Sequence, residues 1–156
     1  MQLCEILSVD RILVDMDGSF VRSKGDALRL LSEMLSPAVG ADKVTVEKLL
    51  LEREALQSTG IGDGVAIPHS GLDTAERQAA ALLLCPRGVE FDAIDGEDVQ
   101  IVFGVVGPKR ATGEHLRTLA RISRLLRDED VRMRLLGSAS PTSALQLIQQ
   151  HEAPAR

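Results

Sequence analysis

The chain has 156 residues, of which 44% are hydrophobic and 26% charged, and a formal net charge of -5. That length buries a core as one domain, 1–156, while no apolar run is long enough to span a membrane. The acidic balance argues against nucleic acid as a partner, and an aromatic content of 2% removes the stacking platforms that single-strand binders use.

The opening segment, MQLCEILSVD, carries acids early and lacks a basic stretch ahead of an apolar one. It does not read as a secretory signal, so a cytoplasmic protein without membrane insertion is expected. Arg11 to Val14 form a short apolar strand, and Asp17-Gly18-Ser19 read as the turn that follows it. Ser23 to Leu35 has helical spacing at Ala27, Leu28, Leu31, Met34 and Leu35, with Pro37 expected to stop the helix. Thr45 is the expected cap of a second helix whose inner side would be Leu49, Leu50, Ala55 and Leu56. That helix should end before GIGDGVAIPH, residues 60–69, where glycine recurs at every second position ahead of Pro68 and His69. Glycine permits positive φ or close approach and proline restricts the residue before it, so the stretch reads as a mount for one imidazole.

Val65 to His69, Ala79 to Cys85 and Val99 to Val106 are apolar runs bounded by Gly, Pro or Asp, and are expected as largely buried strands. The last third reads as helices: Thr112 or Gly113 to Arg127, Asp128 to Leu136 closed by Gly137, and Ser140-Pro141 opening a helix to His151. The sum is an α/β domain with a mixed β-sheet sandwiched between helices. Cys4 and Cys85 lie far apart without a CxxC pair or a nearby histidine, which reads as free thiols rather than a disulfide or a metal site.

Three constellations bear on chemistry. The glycines spell G-x-G-x-G behind a helix and ahead of a strand, whereas the dinucleotide fingerprint requires G-x-G-x-x-G behind a strand and opening a helix. RILVDMDGSF resembles the strand and DxDG[ST] loop of haloacid-dehalogenase-type phosphatases, which would make Asp15 a nucleophile and Asp17 an acid or base. Gly62-Asp63-Gly64-Val65 is similar to that family's later metal-binding segment, but Ala66 and Ile67 stand where its second acid is expected. Too few residues separate Asp17 from Asp63 for the intervening βα units, and the turn reading is preferred. The third constellation is His69 with His115 and Arg53. A histidine that attacks phosphorus must be neutral near pH 7 with one ring nitrogen fixed by a hydrogen bond, which a rigid strand end can supply. A guanidinium, a second imidazole and a helix N-terminus then offer donors to the phosphoryl oxygens. Arg53, His115 and the first turn after Thr112 are suited to those tasks. From spacing alone a structural histidine or a two-histidine metal site stays open, though no third ligand stands at a suggestive distance in the chain.

LEREALQSTGIGDGVAIPHSGLD resembles the active-site segment of the fructose/mannitol-type (type-2) enzyme IIA domains of the bacterial phosphotransferase system. The resemblance continues through VEFDAIDGEDVQIVF and GEHLRTLARISRLL, from about residue 3 to 150. It implies the fold of those domains and a phosphohistidine relay without cofactor or metal. His69 would accept phosphate from an HPr-like phosphocarrier protein, His115 would assist at the same phosphate, and Arg53 would bind it with Ser58 and Thr59 alongside. Ser70 departs from the Ala or Gly usual after the histidine. MQLCEILSVDRILVD resembles the stand-alone nitrogen-related branch, a phosphotransferase component that chiefly controls regulatory target proteins by its phosphorylation state. The runner-up is a free-standing transport component that passes phosphate to a sugar-specific IIB. Arg117, Arg121 and Arg124 form a stripe on the helix that His115 begins, which reads as a solvated face or else as a docking surface for an acidic partner, a choice the sequence does not make.

Overall fold

The structure is a computed structural model that describes residues 2–152. Its strands are β1 (Ile12–Val14), β2 (Gly60–Gly62), β3 (Val65–Ala66), β4 (His69–Leu72), β5 (Ala79–Val89) and β6 (Val99–Pro108). The helices are α1 (Lys24–Val39), α2 (Lys43–Leu56), α3 (Thr112–Arg127), α4 (Glu129–Leu136) and α5 (Pro141–Glu152). They form one mixed sheet in the order β1-β5-β6-β3-β2, with β4 also paired to β6. β5 and β6 run antiparallel at its centre, β1 is parallel to β5, and β3 and β4 are both parallel to β6.

Both faces of the sheet are covered, which is why the central strands are apolar on both sides. Along β5, Ala81, Leu83 and Cys85 turn towards Leu28, Leu31, Leu35, Val46 and Leu50 of α1 and α2. Leu82 and Leu84 turn the other way, towards Ile122, Leu125 and Leu126 of α3 and the inner residues of α4 and α5. Burial raises the Cys85 thiol to about 12, helped by the Asp15 charge, so it stays protonated. Cys4 is half-buried, and both cysteines are free. Among the described residues no helix is long and apolar enough to cross a membrane.

Four local expectations are corrected. Pro37 lies inside α1 rather than ending it, and the last turn persists because Val39 is buried in the core before Gly40 closes the helix at φ 69°. The cap of α2 is Asp42, whose side chain accepts from Val44 N and Thr45 N at 2.7 and 3.2 Å, so Thr45 is already within the helix. The buried positions of α2 are Val46, Leu50 and Glu54, four apart, while Ala55 faces solvent and Leu56 is 83% exposed. Finally, the glycine stretch contains β2, an antiparallel partner of β3. Gly62, Asp63 and Gly64 make the connecting turn with φ of 100°, 57° and 76°; the two glycines adopt such values without strain, and Asp63 takes the left-handed region that Asp tolerates better than most residues. Gly60 has a different reason, because a Cβ there would come within 2.7 Å of the Ala93 Cβ.

β3 and β4 are one extended segment lying along β6, interrupted at Pro68. The proline needs no partner for a missing N–H, and its carbonyl accepts from Val105 N at 2.9 Å. His69 therefore starts β4 in fixed register opposite Val105.

Candidate functional site

His69 and His115 come from different halves of the chain and meet with ring centroids 5.5 Å apart at an interplanar angle of 50°. His69 is held by its own strand: Nδ1 lies 2.7 Å from the Ile67 carbonyl. A carbonyl can only accept, so Nδ1 carries the proton and Nε2 keeps its lone pair in the neutral ring. Burial holds the His69 pKa below the ordinary 6.5 and Arg53 adds to this, against the raising effects of the Ile67 bond and Glu54. The ring is thereby kept neutral, with a defined nucleophilic nitrogen.

His115 sits in the first turn of α3. Burial lowers its pKa too, followed by the proximity of His69. Its Nδ1 is buried and has no hydrogen-bond partner among the described residues. Ala111, the N-cap of α3, offers no side-chain acceptor to the first-turn N–H groups. The start of a sixteen-residue helix thus lies beside the imidazole pair without a side-chain cap.

Arg53, Ser58, Thr59, Gly60, Ile61, Ile67 and His69 line a cleft of about 310 Å³, together with Ile94 and with Leu119 and Ser123 of α3. Arg53 Nη1 donates to the Gln57 carbonyl at 2.9 Å, which closes the end of α2 and steadies the guanidinium. The planar fork has five donors, and this bond uses one. Ser58 and Thr59 also reach the cleft wall, but their hydroxyls are engaged elsewhere. Ser58 Oγ lies 2.8 Å from Phe91 O and 3.0 Å from Glu54 Oε1, and Thr59 Oγ1 donates to Glu54 Oε2 at 2.7 Å. Both residues build the wall, and the Thr59 side chain is tied down by Glu54.

Glu54 was not singled out from the sequence. It is 6% exposed and accepts from Thr59 N at 3.1 and 2.9 Å through its two oxygens, with Lys24 Nζ 3.1 Å from Oε1. The signal available was its spacing, since a carboxylate four residues beyond Leu50 continues the inner stripe Val46-Leu50-Glu54.

The acids of DMDG are occupied by their own turn. Asp15 is 1% exposed and accepts from Phe20 N and Val21 N at 3.2 and 2.8 Å, while Asp17 accepts from Ser19 N at 3.0 Å. Neither lines the His69 cleft. No group of three or more His, Cys, Asp or Glu side chains among the described residues could hold a metal ion. Arg117, Arg121 and Arg124 are exposed on α3, with Arg121 4.0 Å from Glu152.

Residues 5–151 match the family model described as "Phosphoenolpyruvate-dependent sugar phosphotransferase system, EIIA 2". The chain is 34% identical over 148 residues to a nitrogen regulatory protein of Pseudomonas aeruginosa, covering 94% of each. A nitrogen regulatory protein of Bradyrhizobium diazoefficiens is 39% identical over 118 residues, 76% of this chain and 77% of its own. The crystal structure of nitrogen regulatory protein IIA-Ntr from Neisseria meningitidis superposes with a TM-score of 0.86 at 30% identity, covering 93% of this chain and 97% of that one. With a model match across almost the whole chain and relatives similar over most of their length, the protein belongs to the EIIA type-2 family of the phosphoenolpyruvate-dependent phosphotransferase system.

Proposed function

We propose that this chain is the phosphohistidine carrier of a nitrogen-related phosphotransferase system. It accepts a phosphoryl group from an HPr-like phosphocarrier on His69 and regulates partner proteins according to its phosphorylation state. The observation that carries the reading is the His69 lock, a neutral imidazole with its proton on Nδ1 and a free Nε2 at the edge of an arginine-bearing cleft. Similarity to nitrogen regulatory proteins supports the regulatory branch over sugar transport.

In the transfer, the Nε2 lone pair attacks phosphorus as the N–P bond of the carrier's phosphohistidine breaks, and the electron pair leaves on the carrier's imidazole. Arg53, His115 and the first-turn N–H groups of α3 supply donors to the phosphoryl oxygens. Neither metal nor cofactor has a step in this scheme, because positioning and charge neutralisation suffice for a loose phosphoryl transition state. Exposed Ile61 and Ile94 at the cleft, with exposed Leu116 next to His115 in the chain, offer the apolar contact against which a carrier protein would exclude water.

The test is incubation with phosphoenolpyruvate, enzyme I and the HPr-like carrier, followed by mass spectrometry under alkaline conditions. Acid-labile phosphate on His69 is expected; phosphate on His115, or none, would overturn the assignment. Affinity capture with each phosphorylation state should retain regulatory proteins rather than a sugar-specific IIB.

A further inference from the structure

A buried carboxylate beside the cleft is linked to His69 by hydrogen bonds that connect through the backbone of Thr59 and Ile67. Lys24, at the start of α1, places Nζ 3.1 Å from Glu54 Oε1, 3.3 Å from Asp92 Oδ2 and 5.4 Å from the centre of the Phe91 ring. Both Glu54 oxygens accept from Thr59 N, and Oε2 also accepts from the Thr59 hydroxyl. On its other side the Thr59 peptide accepts from Ile67 N at 3.0 Å, and the Ile67 carbonyl accepts the Nδ1 proton of His69 at 2.7 Å. Gly60 is held on both sides, since its N–H donates to Ser58 Oγ at 3.1 Å and its carbonyl accepts from Ile94 N at 3.1 Å.

A carboxylate is an expensive way to fill this position. Glu54 continues the inner stripe of Val46 and Leu50, where an apolar side chain would pack without burying a charge. An apolar residue would leave the Thr59 N–H unanswered, and Thr59 is the residue to which the Ile67 peptide is tied. Neutral histidine in water favours the proton on Nε2, so the opposite tautomer at His69 depends on the Ile67 carbonyl staying in place.

We propose that Glu54 is a positioning residue for the phosphoacceptor: with Lys24 as its counterion it holds Thr59, and through Thr59 the Ile67 carbonyl that keeps the His69 proton on Nδ1. Glu54 does not touch the phosphoryl group. It acts by keeping Nε2 unprotonated and aimed at the cleft, and this rests on the reading of His69 as the acceptor given above.

The experiment uses the full chain with Glu54→Gln, Glu54→Ala, Glu54→Asp and Lys24→Met, each checked for folding by thermal unfolding. Nitrogen-15 NMR of the histidine rings above pH 7 reads the His69 tautomer directly, and labelling by the phosphorylated HPr-like carrier reads transfer. In the wild type Nε2 should be unprotonated. Glu54→Gln should show a mixture with protonated Nε2, because the amide loses the charge that pairs with Lys24 and keeps one acceptor oxygen where the carboxylate offers two to Thr59, and kcat should fall about tenfold with KM for the carrier little changed. Glu54→Ala should fall further, Glu54→Asp should recover part of the loss, and Lys24→Met should show a smaller tautomer shift in the same direction. A folded Glu54→Gln protein with the wild-type tautomer and rate would overturn the proposal. If the alanine variant does not fold, the Gln and Lys24→Met proteins decide it. Should even the wild type take up no phosphate, the proposed function fails while the tautomer comparison still tests Glu54.

Discussion

The two neighbouring histidines, His69 in the cleft wall and His115 beside it, are mounted in opposite ways. His69 begins a strand whose register is set by β6, and its Nδ1 proton is spent on a carbonyl two residues back in its own chain. His115 stands on the first turn of α3 with its Nδ1 buried and unpartnered among the described residues, behind an N-cap that makes no side-chain bond. A strand lying along a buried neighbour fixes direction, register and tautomer together, whereas a helix start supplies donors and a favourable dipole but leaves the ring's protonation pattern open. Under the proposed function the strand histidine takes the covalent role and the helix histidine a donor's role, and the predictions below test that division.

The largest effect should come from removing the strand histidine: His69→Ala is expected to take up no acid-labile phosphate from the carrier, measured by phosphate labelling. Arg53→Lys should slow labelling by about tenfold to a hundredfold, because an ammonium cannot reproduce the planar fork. His115→Ala should still be labelled on His69, slowed within the same range by the loss of a hydrogen bond to a charged group worth about 1.5 to 3 kcal/mol. A complete loss of labelling there would erase the distinction between the mounts. Gly60→Ala attacks the strand mount without touching either ring. Its Cβ would overlap Ala93, and denaturant unfolding should show a loss of about 1 to 3 kcal/mol.

The smallest effect concerns pH and separates the pair from the rest of the fold. Burial holds both imidazoles below the ordinary value of 6.5, so in the folded chain they resist the proton that the unfolded chain accepts. Below pH 6.5 the unfolded state binds more protons, and the stability present above that value is lost as the pH falls through the lowered values. Unfolding curves between pH 8 and 5 should therefore show a shallower acid-side decline in the His69→Gln, His115→Gln double variant than in the wild type. Equal slopes would mean that these rings do not carry the lowered pKa.

Much of this architecture was legible in the chain. The apolar runs of β5 and β6 are doubly buried, so they stand out without help from alternation, and Ser140-Pro141 and Gly137 mark helix ends by local chemistry alone. Local rules failed where tertiary burial outweighed them. Burial of Val39 carries α1 past Pro37, and Asp42 rather than Thr45 meets the first free N–H groups of α2. β2 is only three residues long and two of them are glycine, so it has no side-chain pattern to read.

The same division runs through the site. His69, behind its glycines and Pro68, and Arg53 in the REALQSTG run could be singled out because their motif is continuous in sequence, and their part in phosphate chemistry is the reading to be tested. The sequence by itself determined that a helical segment precedes the glycine turn, that an apolar strand leads to a histidine, and that this segment resembles the type-2 enzyme IIA family. Tertiary structure alone decided that Glu54 turns inward to Thr59, that the Ile67 carbonyl takes the Nδ1 proton, and that His115 comes to 5.5 Å from His69 across 46 residues of chain. The physical reason is that spacing along a chain specifies periodicity and local caps, whereas the partner of a buried polar atom is chosen by whichever strand or helix the sheet order brings against it.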